Sequence, residues 1–165
     1  LVWQVVKGRC FLDGDEQLDV SPLNGSYCVY AEAVLQIVTA PVRVLDAGVT
    51  LTRRPEAVQV AGRWHVLIDA KYPMRETASV KRGREAEQVA LVESSWTQGR
   101  YYQDQDKLVM DMVWLADPTA GKFILVRGYD YAEVGGVLIP AKIEIFHSDS
   151  QAQFGPRIAM IDLKL

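Results

Sequence analysis

Two cysteines and two histidines are all that the 165-residue chain offers for thiol or soft-metal chemistry. Cys10 and Cys28 form no CxxC pair and stand near no histidine that would complete a zinc set, so no metal site is expected. They read either as two small buried thiols or as one disulfide in an oxidising compartment, and spacing alone does not choose between them. Excess charge is missing too. With 18 Lys+Arg against 21 Asp+Glu the formal net charge is −3, which leaves no surplus of cations to release counterions from a nucleic-acid backbone. Nucleic acid is therefore not an expected partner. The one basic run, Lys81-Arg82-Gly83-Arg84, is answered at once by Glu85 and Glu87 and reads as a solvated charged segment. Also absent is any apolar run near the ~18 residues that a spanning helix needs, since Asp, Arg or Lys breaks the longest stretches.

What is present is an ordinary core-forming balance, 49% hydrophobic and 24% charged, in a length that suits one domain, residues 1–165. The chain opens on Leu1 and runs straight into Val2-Trp3-Gln4-Val5-Val6, so its native N-terminus, with any signal segment, is expected upstream. Residues 2–12 predict two short strands closed by turns at Lys7-Gly8 and Asp13-Gly14-Asp15. Tyr27, Tyr30, Ala31, Val34, Leu35 and Val38 recur at three- and four-residue spacing and predict an amphipathic helix ending before Pro41. The β-branched residues within 42–45 and 48–52 predict extended chain on either side of the turn at Asp46-Ala47-Gly48. Over 63–70, Trp64, Val66, Ile68 and Ala70 share one face of a strand, opposite Arg63, His65 and Asp69. The pattern degrades over 72–96, where Val89-Ala90-Leu91-Val92 fits a short helix or a strand. From 108 it is clear again. Four strands are predicted, over 108–115, 122–131, 137–147 and 157–165, joined by Asp117-Pro118-Thr119-Ala120-Gly121, by Gly135-Gly136 and by the polar segment 148–156. Consecutive strands with short connections pair antiparallel, and apolar residues on both sides require both faces to be covered. The fold class is thus α+β, an antiparallel sheet packed on one or two helices.

No catalytic constellation is legible. His65 and His147 lie on predicted strands with no nucleophile elbow nearby and read as surface or rim residues. Asp111, Asp130 and Asp162 interrupt apolar strands and read as solvent-facing or strand-end carboxylates rather than an acid–base pair. Gly135-Gly136 lies between two strands and reads as a turn, because a phosphate cradle feeds a helix N-terminus. No cofactor is expected. The remaining feature is a stripe of large apolar side chains: Trp64, Val66 and Ile68 on one strand, and Met110, Met112 and Trp114 on another. These six are the candidate lining of an apolar groove, since Met adapts its shape to variable ligands, although plain core gives the same pattern. Trp96, Tyr101 and Tyr102 are a candidate aromatic docking surface.

The stretch Ala40-Pro41-Val42-Arg43-Val44-Leu45-Asp46-Ala47-Gly48-Val49 and Val60-Ala61-Gly62-Arg63-Trp64-His65-Val66-Leu67 resembles the LolA/LolB-like outer-membrane lipoprotein-sorting proteins of the bacterial envelope. So do Asp117-Pro118-Thr119-Ala120-Gly121-Lys122 and the hairpin from Tyr129-Asp130-Tyr131 through Val134-Gly135-Gly136-Val137 to Ile139-Pro140-Ala141-Lys142-Ile143. These are turn signatures and speak to fold. The resemblance implies a strongly curved, half-open antiparallel sheet, a half-barrel wrapped on helix, with an apolar concavity that takes acyl chains. It also implies an extracytoplasmic location, in the periplasm or at the outer membrane. The early helix and strands of a complete half-barrel are absent or lie upstream of Leu1, and no ligand-binding residue of the family matches one for one. The expected function is non-enzymatic binding of an acyl chain, lipid or lipoprotein. The alternative is an accessory subunit with a filled core, docked on a larger envelope assembly.

Overall fold

Period-two alternation dominates the last two-thirds of the chain, and its strands assemble in almost strictly sequential order. The computed structural model describes residues 3–6, 9–12, 15–17, 27–40, 48–72, 77–82, 85–90 and 96–164, with side chains described over 30–40, 48–72 and 96–164. In chain order come β1 (Trp3–Val6), β2 (Arg9–Leu12), β3 (Asp15–Gln17) and the helix α1 (Tyr27–Val38). They are followed by β4 (Thr50–Val60), β5 (Arg63–Lys71), β6 (Thr77–Arg82), β7 (Glu85–Ala90) and β8 (Gln98–Asp104). The chain closes with β9 (Met110–Asp117), β10 (Lys122–Val134), β11 (Val137–His147) and β12 (Arg157–Asp162). Seven strands form one open sheet in the order β12-β11-β10-β9-β8-β5-β4, antiparallel at every step. β1 to β3 form a small antiparallel sheet, and β6 pairs with β7 alone, so the chain leaves the main sheet after β5 and returns beside it as β8.

Tight turns hold this order. Val60 pairs with Arg63 across Ala61-Gly62, and Val134 pairs with Val137 across Gly135-Gly136. All four turn residues have positive φ, the geometry whose twist matches a two-residue hairpin. Gly135-Gly136 is thus the predicted turn. β4 is longer than the 48–52 segment suggested, because charged residues and Pro55 mask its pattern; its pairing with β5 slips between Arg53 and Ala57, around Pro55, as an edge strand tolerates. β8 was not legible at all. Its Tyr101 and Tyr102 are adjacent and both buried, one on each side of the sheet, so no alternation shows. β7 resolves the ambiguous 89–92 segment as strand at Val89-Ala90. The strand expected over 42–45, residues 91–92 and the side chains of Cys10 and Cys28 lie outside the described residues.

Each face of the sheet carries its own core. α1 lies against β9, β10 and β11, and its Ala33 and Ile37, with Ala40 just past its end, share one core with Val113, Leu115, Ile124, Val126, Ile143 and Ile145. A polar tether crosses this layer: the Tyr101 hydroxyl donates to Gln36 Oε1 on α1 at 3.1 Å and lies 2.5 Å from the Tyr72 hydroxyl. Gly99 makes room for it, since a Cβ there would stand 2.7 Å from the Tyr72 oxygen. The opposite face gathers Leu67, Tyr102, Met112, Trp114, Ala116 and Leu125, flanked by Phe123 and Phe146. No helix among the described residues is long and apolar enough to cross a membrane.

Leu115 is fully buried between α1 and the sheet, so Leu115→Ala is expected to cost about 2–5 kcal/mol in urea unfolding. Leu138, 46% exposed beside the β10–β11 turn, is expected to tolerate alanine within about 0.5 kcal/mol in the same measurement.

Candidate functional site

Two polar features are built onto this scaffold. The first is a buried charge cluster where β5, β8 and β9 meet. The Ala61-Gly62 turn sets Arg63 at the start of β5, and its guanidinium bridges two carboxylates, Asp104 and Asp111, each at 2.6 Å. His65, 2% exposed, sits 3.0 Å from Asp111 through Nε2 and 3.0 Å from the Arg63 carbonyl through Nδ1. Both ring nitrogens therefore face acceptors. Asp104 Oδ1 also accepts from the backbone N–H of Asp106 and Lys107. Burial pushes the Asp104 carboxyl up, but these N–H groups together with Arg63 and His65 prevail and hold it below the ordinary carboxylate range.

This geometry corrects two expectations. His65 is a core residue, not a rim histidine, and Asp111 is buried rather than solvent-facing. The signal that was missed is a bulge: the β8–β9 register passes from Tyr102↔Met112 to Gln103↔Met110, so Asp111 is the extra residue, turned out of the alternation. Asp130 and Asp162 are exposed as expected, Asp130 pairing with Lys142 at 2.7 Å, and His147 is exposed as well. His65, Asp104 and Asp111 bring donor atoms within 4.8 Å of one another, but the Arg63 guanidinium holds both carboxylates, and a metal ion would have to displace it. Among the described residues His65 has no hydrogen-bond partner besides Asp111 and the Arg63 carbonyl, so the cluster works as an internal clamp across three strands.

The second feature is a hollow of about 810 Å³ on the face away from α1. Its floor is apolar, formed by Val58 and Val60 of β4, Leu67 of β5, Tyr102 of β8, Met112 of β9 and Phe146 of β11. Its sides are polar. Arg54, Arg100, Arg127, Tyr129 and Glu144 line it, and residues 151–154 close one side. That loop is firmly made. Asp149 accepts from the N–H of Gln151 and Gln153 through Oδ1, its carbonyl takes the Trp114 indole N–H at 3.0 Å, and Phe154 packs edge-on to Phe146 at 5.1 Å.

The arginines are tied by uneven pairing. Arg54 and Arg100 share Asp69, through Nε at 2.6 and 2.7 Å, and Arg100 lies 5.3 Å over the Trp114 ring. Glu144 accepts from the Tyr129 hydroxyl and from Arg157. Arg127 stacks 4.7 Å over Tyr129, and no carboxylate among the described residues forms an ion pair with it. Burial raises the Asp69 carboxyl, but Arg100 and Arg54 outweigh it and hold Asp69 low. The Tyr129 hydroxyl bond, then Arg157, holds Glu144 low against the opposing effect of burial. Tyr129 itself is pushed up to about 12, by burial first and by Glu144 second, so it stays a neutral donor.

The six residues of the predicted stripe do not share one surface. Met112 and Trp114 lie in the cluster on the hollow's face, Met112 in the floor and Trp114 behind the 151–154 loop. Ile68 and Met110 pack with the α1-side core, Val66 is half-buried on β5, and Trp64 is 53% exposed. Alternation groups residues within one strand, but which faces of two strands coincide is fixed by register and bulges. The aromatic docking surface is also overturned: Trp96, Tyr101 and Tyr102 are 1%, 0% and 6% exposed. Compared with known proteins, the chain matches no protein family, no curated protein and no solved structure.

Removing Arg63 strands two carboxylates in the interior, so Arg63→Met is expected to cost about 3 kcal/mol in urea unfolding at neutral pH, with part regained in the Arg63→Met/Asp104→Asn pair. Asp69, Asp104 and Glu144 all sit below their ordinary values. Their stabilisation is present above the unfolded carboxylate value of about 4 and is lost as pH falls through the lower folded values. Unfolding free energy measured across a pH series is therefore expected to decline below about pH 4, less steeply for Asp104→Asn.

Proposed function

We propose that this domain binds a hydrophobic ligand, an acyl chain or an acylated molecule, in the hollow on the face of the sheet away from α1. One observation carries the reading: a single hollow of about 810 Å³ has an apolar floor contributed by strands from β4 to β11. That volume falls in the range of small-molecule sites, which combine apolar lining with a few polar groups. Five inter-strand steps separate β4 from β11, roughly 24 Å across a flat sheet. Side chains that far apart line one cavity when the sheet curls around it, which supports the strongly curved, half-barrel form of the LolA/LolB-like expectation. The site differs from the predicted one in its residues, with Val58, Val60, Leu67, Tyr102 and Phe146 joining Met112 in place of Trp64, Val66, Ile68, Met110 and Trp114.

Each methylene buried contributes ~0.8 kcal/mol, so a chain lying along this floor gains enough to bind without any covalent step. The reading is non-enzymatic, and an extracytoplasmic place in the cell envelope follows from the same resemblance. The accessory-subunit alternative is less favoured, because the aromatic surface it relied on is core and the hollow is open.

Native mass spectrometry of the purified protein and titration with a fluorescent fatty acid test the proposal. Saturable binding is expected, weakened about tenfold by Val58→Trp, which sets an indole ring on the floor where the chain would lie. No co-purifying lipid together with no saturable binding would sink it.

A further inference from the structure

The rim of the hollow is a positive island in a chain whose formal net charge is −3. Among the described residues, three arginines line it (Arg54, Arg100 and Arg127), and with Arg157, which pairs with Glu144 from outside the lining, they make four guanidinium groups around two carboxylates, Asp69 and Glu144. Two carboxylates do not neutralise four guanidinium groups. The imbalance is built into the fold, since Asp69 and Arg100 come from adjacent strands and meet at cross-strand partner positions on β5 and β8. Arg127 and Glu144 are likewise partners across β10 and β11, yet Glu144 is taken up by Tyr129 and Arg157.

Donors are also left over. Arg54 and Arg100 reach Asp69 through Nε and Arg100 bonds the Tyr102 hydroxyl besides, which leaves the terminal amino groups of Arg54 and part of the Arg100 fork for other acceptors. Arg127 has the Tyr129 ring beneath it and Glu144 as its cross-strand neighbour, but the hydrogen bonds of Glu144 go to Tyr129 and Arg157. A planar fork held on a ring, over an apolar floor that keeps water away, is suited to receive a carboxylate or phosphate oxygen.

We propose that the ligand of this hollow is a single-chain amphiphile with an anionic head group, its chain on the Val58–Leu67–Met112–Phe146 floor and its head held by Arg127 with Arg54 and Arg100. This deepens the binding reading above and rests on it. A neutral lipid would leave the guanidinium surplus uncompensated, and a cationic one would be repelled. The chemistry does not separate a carboxylate head from a phosphate head, so both enter the test.

The experiment titrates the full chain, by calorimetry below each ligand's micelle concentration, with myristate, tetradecyl phosphate and the uncharged monomyristoylglycerol. One or both anionic ligands are expected to bind about tenfold tighter than the glyceride, the worth of one charge-assisted hydrogen bond. Raised salt should narrow that gap. Arg127→Gln, which breaks no ion pair among the described residues, is expected to bring the anionic ligands down to the glyceride's affinity at an unchanged unfolding midpoint. Arg54→Gln, on an exposed edge strand, should do so in part. Equal binding of glyceride and anionic ligands, or undiminished preference in both variants, overturns the head-group assignment and leaves the groove reading standing. No binding of any of the three overturns both.

Discussion

A seven-stranded sheet with apolar side chains on both faces must cover both, and among the described residues one helix is available to do it. Everything else in the structure follows from how that is managed. α1 takes one face, where its alanines and Ile37 press onto β9, β10 and β11 and the Tyr101–Gln36 bond fixes its position. The other face is left to its own side chains and to the 148–156 loop. Among the described residues that cover is incomplete, and the uncovered part is the hollow.

The two polar features divide along the same line. Arg63, His65, Asp104 and Asp111 are consumed internally: each carboxylate has its partners, and the cluster ties the ends of three strands together. Buried charges of this kind are costly to leave half-paired, which is why their completeness argues for a structural clamp rather than for chemistry. The arginines around the hollow are the opposite case. They are partly paired, stacked on rings and short of carboxylates, and groups left in that condition on a cavity wall are positioned to meet something that enters it.

Much of the fold was legible in the sequence. The helix over 27–38, the strand from Arg63 and the β9 to β12 meander follow from periodicity, and the Gly135-Gly136 turn from the backbone freedom it requires. β8 and the second half of β4 were not legible, for physical reasons. Tyr101 and Tyr102 fill opposite cores from neighbouring positions, and β4 is an edge strand whose outer side chains are free to be charged. Of the residues that line the hollow, only Met112 was singled out from the sequence, while Trp114 braces the loop beside it.

Composition and pattern by themselves determined that this chain would build an antiparallel sheet with helix against it, because side-chain period is a local property of each segment. Tertiary structure alone decided which residues meet. Register brought Asp69 under Arg100 and Glu144 opposite Arg127, the bulge at Asp111 turned a carboxylate inward to His65 and Arg63, and the pairing of β4 through β11 put Val58 and Phe146 in the same hollow. A one-residue change in register exchanges the two faces of a strand, and no periodicity within a single strand carries that information.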